Sequence, residues 1–177
     1  QLLASDFPGQ GIAVTNSGKP GEPASCTPPP ADTCGVERLA FDLAAQRPQV
    51  LLLLHGYNDL GDPTAVSRVV TALRDSVRLA RAAGVAYVFV GTITPGRTPT
   101  GPFRRQRDPQ VIIAANTGIV AMAATEGAHL VDNYAAFVGR ELQLVNIDGL
   151  HLTAAGFRVM AETFYARVRQ VIPTSEQ

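Results

Sequence analysis

Asp148 and His151 stand three residues apart in the segment DGLHLTAAG, residues 148–156. In a tight turn a carboxylate can accept from one imidazole nitrogen and leave the other to act as a general base. Histidine is scarce, with only His55, His129 and His151 in the chain, and His151 alone has a neighbouring carboxylate in a loop. His55 follows an apolar run and His129 opens a short one, so both read as packed or hydrogen-bonded structural residues. Two further polar stretches carry residue types suited to holding an anion. In GYND, residues 56–59, Asn58 offers a carboxamide that could donate to an oxyanion without proton transfer. The competing reading is an Asx-turn that caps a strand. In NSGKPGE, residues 16–22, glycine permits positive φ, so a backbone N–H such as that of Gly21 could point at an anion. The competing reading there is an ordinary turn.

Each of these stretches needs an element to place it. Val50 to Leu54 is an unbroken apolar run bounded by Pro48 and by the glycines and polar residues of 56–63. It reads as a strand buried on both faces, with GYND at its carboxyl end, where ligands bind in open α/β sheets. Gln1 to Pro8 looks like the last turn of a helix, and Gly11 to Thr15 (GIAVT) like a strand that leads into NSGKPGE. Val36, Leu39, Ala40 and Leu43 predict a helix that stops before Pro48. Asp62 as N-cap with Pro63 in the first turn predicts a helix with an apolar stripe at Val66, Val69, Val70, Leu73 and Val77, ended by Gly84. Val85 to Ile93 reads as a buried strand, followed by a long loop from Thr94 to Arg107. Asp108-Pro109 starts a helix that runs to about Gly127. A strand at His129 to Val131, a short helix near Asn133 to Gly139, an irregular stretch to Ile147 and a helix from Thr153 to about Ile172 complete the chain. Strands that alternate with helices mean βαβ units and a parallel sheet, hence an α/β fold.

Composition narrows the classes. The 177 residues are 46% hydrophobic and 17% charged, which suits one globular domain spanning 1–177. Formal net charge is zero, and Arg104, Arg105 and Arg107 form the one basic knot, a poor footprint for nucleic acid. No apolar run approaches the roughly 20 residues of a membrane span. Cys26 and Cys34 flank TPPPADT, either as a disulfide or as two thiols, and their spacing matches no metal site.

Taken together, DGLHLTAAG, GYND and NSGKPGE resemble the blocks of the GDSL or SGNH serine hydrolases, in the right order and over nearly the whole chain. That resemblance implies a flavodoxin-like, three-layer α/β/α fold. It implies a triad in which Asp148 orients His151, and an oxyanion hole made of Gly21 N–H and Asn58. It further implies a carboxylic ester hydrolase acting on short-chain acyl esters with no metal or organic cofactor, the loop 94–107 walling the pocket. The family's frequent export and the cysteine pair lean towards a secreted or periplasmic setting.

One block has no counterpart. The family's nucleophile sits in a Gly-Asp-Ser-Leu-like segment at the end of a first, central strand, and no such segment occurs here. The domain therefore reads as N-terminally truncated relative to the family. The lost strand would lie between those at Gly11 and Val50, leaving backbone groups on both unpaired. An upstream segment, another copy acting by strand exchange or as a homo-oligomer, or a substitute nucleophile such as Ser17 or Ser25 could fill the gap. The alternative function is a binding module that kept the scaffold and lost the nucleophile. A nucleotide-binding flavodoxin-like domain lacks its phosphate-cradling glycine loop here.

Overall fold

The computed structural model describes residues 3, 7, 9, 11–27, 34–61, 63–100 and 106–173. Its centre is a parallel sheet of three strands in the order β1–β2–β3: β1 (Val50–Leu53), β2 (Tyr87–Gly91) and β3 (His129–Val131). The register pairs Leu52 with Phe89, and Phe89 with His129. Because strand side chains alternate faces, β1 sends Leu51 and Leu53 to one side and Val50 and Leu54 to the other.

The larger core lies on the first face, under α1 (Gly35–Gln46), α2 (Ala65–Ala82) and α3 (Pro109–Glu126). On α2 the spacing of Val69, Leu73, Val77 and Ala80 puts all four in the core, each at most 1% exposed. Burial of each valine or leucine at that level contributes about 1.5–3 kcal/mol. The second face is covered by α6 (Ala154–Val171), whose Phe164 and Val168 pack with Phe89, Val131 and Phe7. The result is three layers, α/β/α. Two short helices, α4 (Asn133–Phe137) and α5 (Glu141–Leu144), lie between β3 and α6.

Several helix ends follow their local chemistry. Asp108 accepts from Gln110 N at 2.8 Å ahead of Pro109, and Gly127 closes α3 in the left-handed conformation. Thr153 caps α6 by accepting from Gly156 N at 3.1 Å. Others differ from the sequence expectation. The N-cap of α2 is Thr64, whose hydroxyl accepts from Arg68 at 3.1 Å rather than capping the helix, so Pro63 precedes the helix; Asp62 lies outside the described residues. The stretch before Ile147 is not irregular throughout, since α5 forms there. Most of the helical turn expected at residues 1–8 also lies outside the described residues, apart from a bond from Phe7 N to Leu3 O at 3.1 Å.

The largest departure concerns Gly11 to Thr15. These residues join no strand, and Ile12 and Val14 are 40% and 79% exposed. The reason is visible at β1, which pairs with β2 on one side and with no described strand on the other. Without a neighbour in that position, residues 11–15 have no ladder to join. For the same reason β1 is not buried on both faces: Leu52, in its middle, is 46% exposed. A disulfide joins Cys26 to Cys34, whose Cα atoms are 5.1 Å apart. No described helix is long and apolar enough to cross a membrane.

Candidate active site

The three polar stretches gather beyond the carboxyl end of the sheet in two groups. The first is the turn 146–151. Asp148 Oδ1 accepts from Leu150 N and His151 N, both at 3.0 Å, and Oδ2 holds His151 Nδ1. The turn closes because Gly149 adopts φ 87°, and a side chain there would meet the Arg97 carbonyl at 2.7 Å. Asn146 N donates to His151 O at 2.6 Å, and an antiparallel bridge pairs Val145 with Leu152. The His151 side chain is 61% exposed, with its ring Nε2 directed away from the carboxylate and without a hydrogen bond among the described residues. Burial, the strongest single influence on Asp148, pushes its carboxyl up, but the His151 ring and the two amides together outweigh it and hold the group below its ordinary value.

The second group joins the loop 21–26 to the 3-10 turn Tyr57–Asp59 at the end of β1. Asn58 Nδ2 donates to Glu22 O at 3.1 Å, and its second amide hydrogen has no partner among the described residues. Gly21 has φ 74°, a region costly to other residues, and its N–H makes no hydrogen bond among the described residues. Asp59 accepts from Ala24 N at 2.7 Å and Ser25 N at 2.9 Å, which seats the loop against the turn. His55 Nε2 lies 3.0 Å from Glu22 O, the hydrogen-bonded structural place its sequence context suggests. His129 is structural too: its ring packs 5.1 Å from that of Phe89, and burial lowers its pKa.

A bridge between the two groups comes from the long loop after β2. The buried carboxamide of Asn116 holds both Ile93 N and Ile93 O, at 2.8 and 2.9 Å, and so sets where the loop begins. One end binds the first group through Arg97 N to Gly149 O and Thr100 N to Ile147 O, at 3.3 and 3.0 Å. The other end binds the second: Arg107 donates from its backbone to Tyr57 Oη at 3.2 Å, and from its guanidinium to Tyr57 O and Asn58 O at 3.3 and 3.2 Å. Burial raises the pKa of Tyr57, outweighing the Arg107 amide and guanidinium, which pull it down, and keeps the phenol neutral. Tyr57 and Glu22 lie inside GYND and NSGKPGE, the stretches the sequence singles out, and Arg107 in the basic knot, but their bonds here have no sequence signal; Arg38 and Asn116 carry none at all.

Neither substitute serine is brought to His151. Ser25 Oγ is engaged with Thr27 N and O, at 3.1 and 3.3 Å. Ser17 Oγ accepts from Gln46 at 3.2 Å. That is the far end of α1, roughly 16 Å along the axis from the end where Gly35 N meets Pro23 O. Among the described residues no hydroxyl lies within hydrogen-bond reach of the His151 ring. Cys26, Cys34 and Glu37 bring three donor atoms within 4.8 Å of one another, but both sulfurs are committed to the disulfide. Two open hollows among the described residues lie elsewhere: about 330 Å³ beside Thr92, Asn116 and Tyr134, and about 500 Å³ between α5 and α6.

A family model described as the GDSL-like lipase/acylhydrolase family matches residues 1–159. The chain belongs to that family. Membership supports an ester hydrolase in general terms, and the three-layer fold agrees with that of solved relatives. A protein from Agrobacterium tumefaciens, provisionally assigned as an arylesterase, superposes with a TM-score of 0.75 at 19% identity, over 97% of this chain and 85% of that one. The lipase/acylhydrolase from Enterococcus faecalis gives 0.70 at 19% identity, over 94% and 80%. A catalytic mutant of an acetylxylan esterase from Geobacillus stearothermophilus gives 0.69 at 20% identity, over 95% and 77%. Curated protein sequences yielded no match.

Proposed function

We propose that the protein is a carboxylic ester hydrolase acting on short-chain acyl esters, with His151 as general base and Asp148 as its orienting carboxylate. The observation that carries this reading is the Asp148–His151 pair, in which the carboxylate holds one ring nitrogen and the exposed ring leaves the other for a proton. In the reaction a hydroxyl oxygen attacks the acyl carbon while His151 Nε2 takes its proton. The oxyanion that forms is held by Gly21 N–H and by the second amide hydrogen of Asn58. Collapse expels the alcohol, which takes the proton back from His151, and water then releases the acid by the same route.

The attacking hydroxyl has to come from an element seated on the open edge of β1. A parallel strand there ends at the same carboxyl edge, next to Asn58 and the 21–26 loop. A second reading, a nucleophile-less binding module, is favoured by the absence of any described hydroxyl beside the His151 ring. Intact mass before and after a fluorophosphonate, read with hydrolysis of p-nitrophenyl acetate, separates the two. A single serine adduct together with turnover that His151→Ala removes supports the hydrolase. No adduct and no turnover from a protein of the full expected mass refutes it and leaves the binding module.

A further inference from the structure

Glu22 is the one charged residue among the buried polar side chains described, with 3% of its surface exposed. A carboxylate in that position is costly to desolvate unless it is paired and hydrogen-bonded, and a buried pair is weak evidence for stability as such. What this pair does is geometric. Arg38, on α1, grips the carboxylate with two parallel bonds, Nε to Oε1 and Nη2 to Oε2, both at 2.8 Å. Its remaining nitrogen, Nη1, is held by Asp42 at 2.6 Å, one turn along the same helix. A planar fork gripping a planar carboxylate fixes rotation as well as distance, which a lysine or a neutral amide could not do.

The backbone of the same residue serves the anion site. Glu22 O accepts from Asn58 Nδ2 at 3.1 Å and lies 3.0 Å from His55 Nε2. The preceding residue is Gly21, which presents the other N–H. We propose that Glu22 and Arg38 are positioning residues for the oxyanion hole, anchoring the Gly21–Glu22 peptide to α1 so that both donors keep one separation. The inference rests on the hydrolase reading for its consequence in catalysis, and on the hydrogen bonds alone for its geometry.

Nitrogen-15-labelled full-length protein and its Arg38→Lys and Glu22→Gln variants provide the test, with amide exchange and ester hydrolysis measured on each. In the parent, one Asn58 side-chain amide proton exchanges at least about tenfold more slowly than that of a free carboxamide. In both variants that protection is lost and the Gly21 signal shifts, while the β2 amides Val88 to Val90 are unchanged. Hydrolysis of p-nitrophenyl acetate falls about 10- to 100-fold in kcat with KM held within twofold, the smaller loss in Arg38→Lys. A purely structural role would lower thermal stability without that division between kcat and KM. Folded variants with unaltered Asn58 and Gly21 signals overturn the proposal, whatever happens to kcat. A parent that shows the protected amide but no turnover overturns the hydrolase reading and leaves the positioning intact.

Discussion

The two halves of the candidate site are built on opposite plans. The Asp148–His151 half is local: a four-residue span supplies its carboxylate, its ring and both amides that orient the carboxylate, and the ring stands 61% exposed. The Gly21–Asn58 half is assembled from distant stretches, with bonds from Asn58 to Glu22, Ala24 and Ser25 to Asp59, Arg38 to Glu22 and Arg107 to Asn58. A local turn can keep its geometry almost regardless of the rest of the fold. A composite site inherits every displacement of the elements that feed it. Damage to the first half should therefore abolish chemistry and spare the fold, whereas damage to the second should disturb both.

The sharpest separation is expected at His151. His151→Ala lowers kcat/KM for a nitrophenyl ester by about 10³-fold or more and shifts the melting temperature little, since the ring is exposed. Kinetics and calorimetry on one preparation check both parts, and a large fall in Tm would break the contrast. At Arg38 the balance reverses. Arg38→Ala strands the buried Glu22 carboxylate and costs on the order of 3 kcal/mol, read by urea unfolding. A variant as stable as the parent would show that the second half is not held by its ion pair. Reduction of Cys26–Cys34 removes a closure over 8 residues and lowers stability by about 2.5 kcal/mol, measurable as a fall in Tm with a phosphine reductant.

Acid offers a subtler comparison. The Glu22 carboxyl lies below its ordinary value, because its bond to Arg38 outweighs burial, and Asp148 lies low as well. A depressed carboxylate contributes stability that is complete above the unfolded-state pKa of about 4 and is lost as pH falls through the lower folded value. Unfolding free energy should thus decline below about pH 4, and Glu22→Gln should flatten that decline more than Asp148→Asn, Glu22 being the more buried. Equal flattening would erase the difference between the halves. The smallest effect expected is in backbone exchange. Amides of residues 11–17 should exchange near the unprotected rate and those of Val88 to Val90 orders of magnitude more slowly, which hydrogen–deuterium exchange reads directly.

The same contrast explains what could be read from the sequence. The α3 cap at Asp108-Pro109, the α2 stripe and the DGLH turn are encoded within a few residues, so periodicity and capping chemistry revealed them. The positioning roles of Glu22, Arg38 and Arg107 carry no local mark, although Glu22 ends the NSGKPGE stretch, because each comes from a partner 16 or more residues away. Gly11 to Thr15 failed for the related reason that β-pairing is a property of two segments. Its alternation of apolar residues is real, but strandhood needs a neighbour to bond with.

The open edge of β1 also bears on symmetry. The run VLLL contains no proline or charge to discourage another chain from pairing with it, and Leu52 is half bare. Two copies that paired β1 against β1 about a twofold axis would satisfy the β1 edge of each in a closed dimer. A copy that instead offers the outer edge of β3 to the β1 of the next leaves one free edge at each end, and that arrangement propagates without limit.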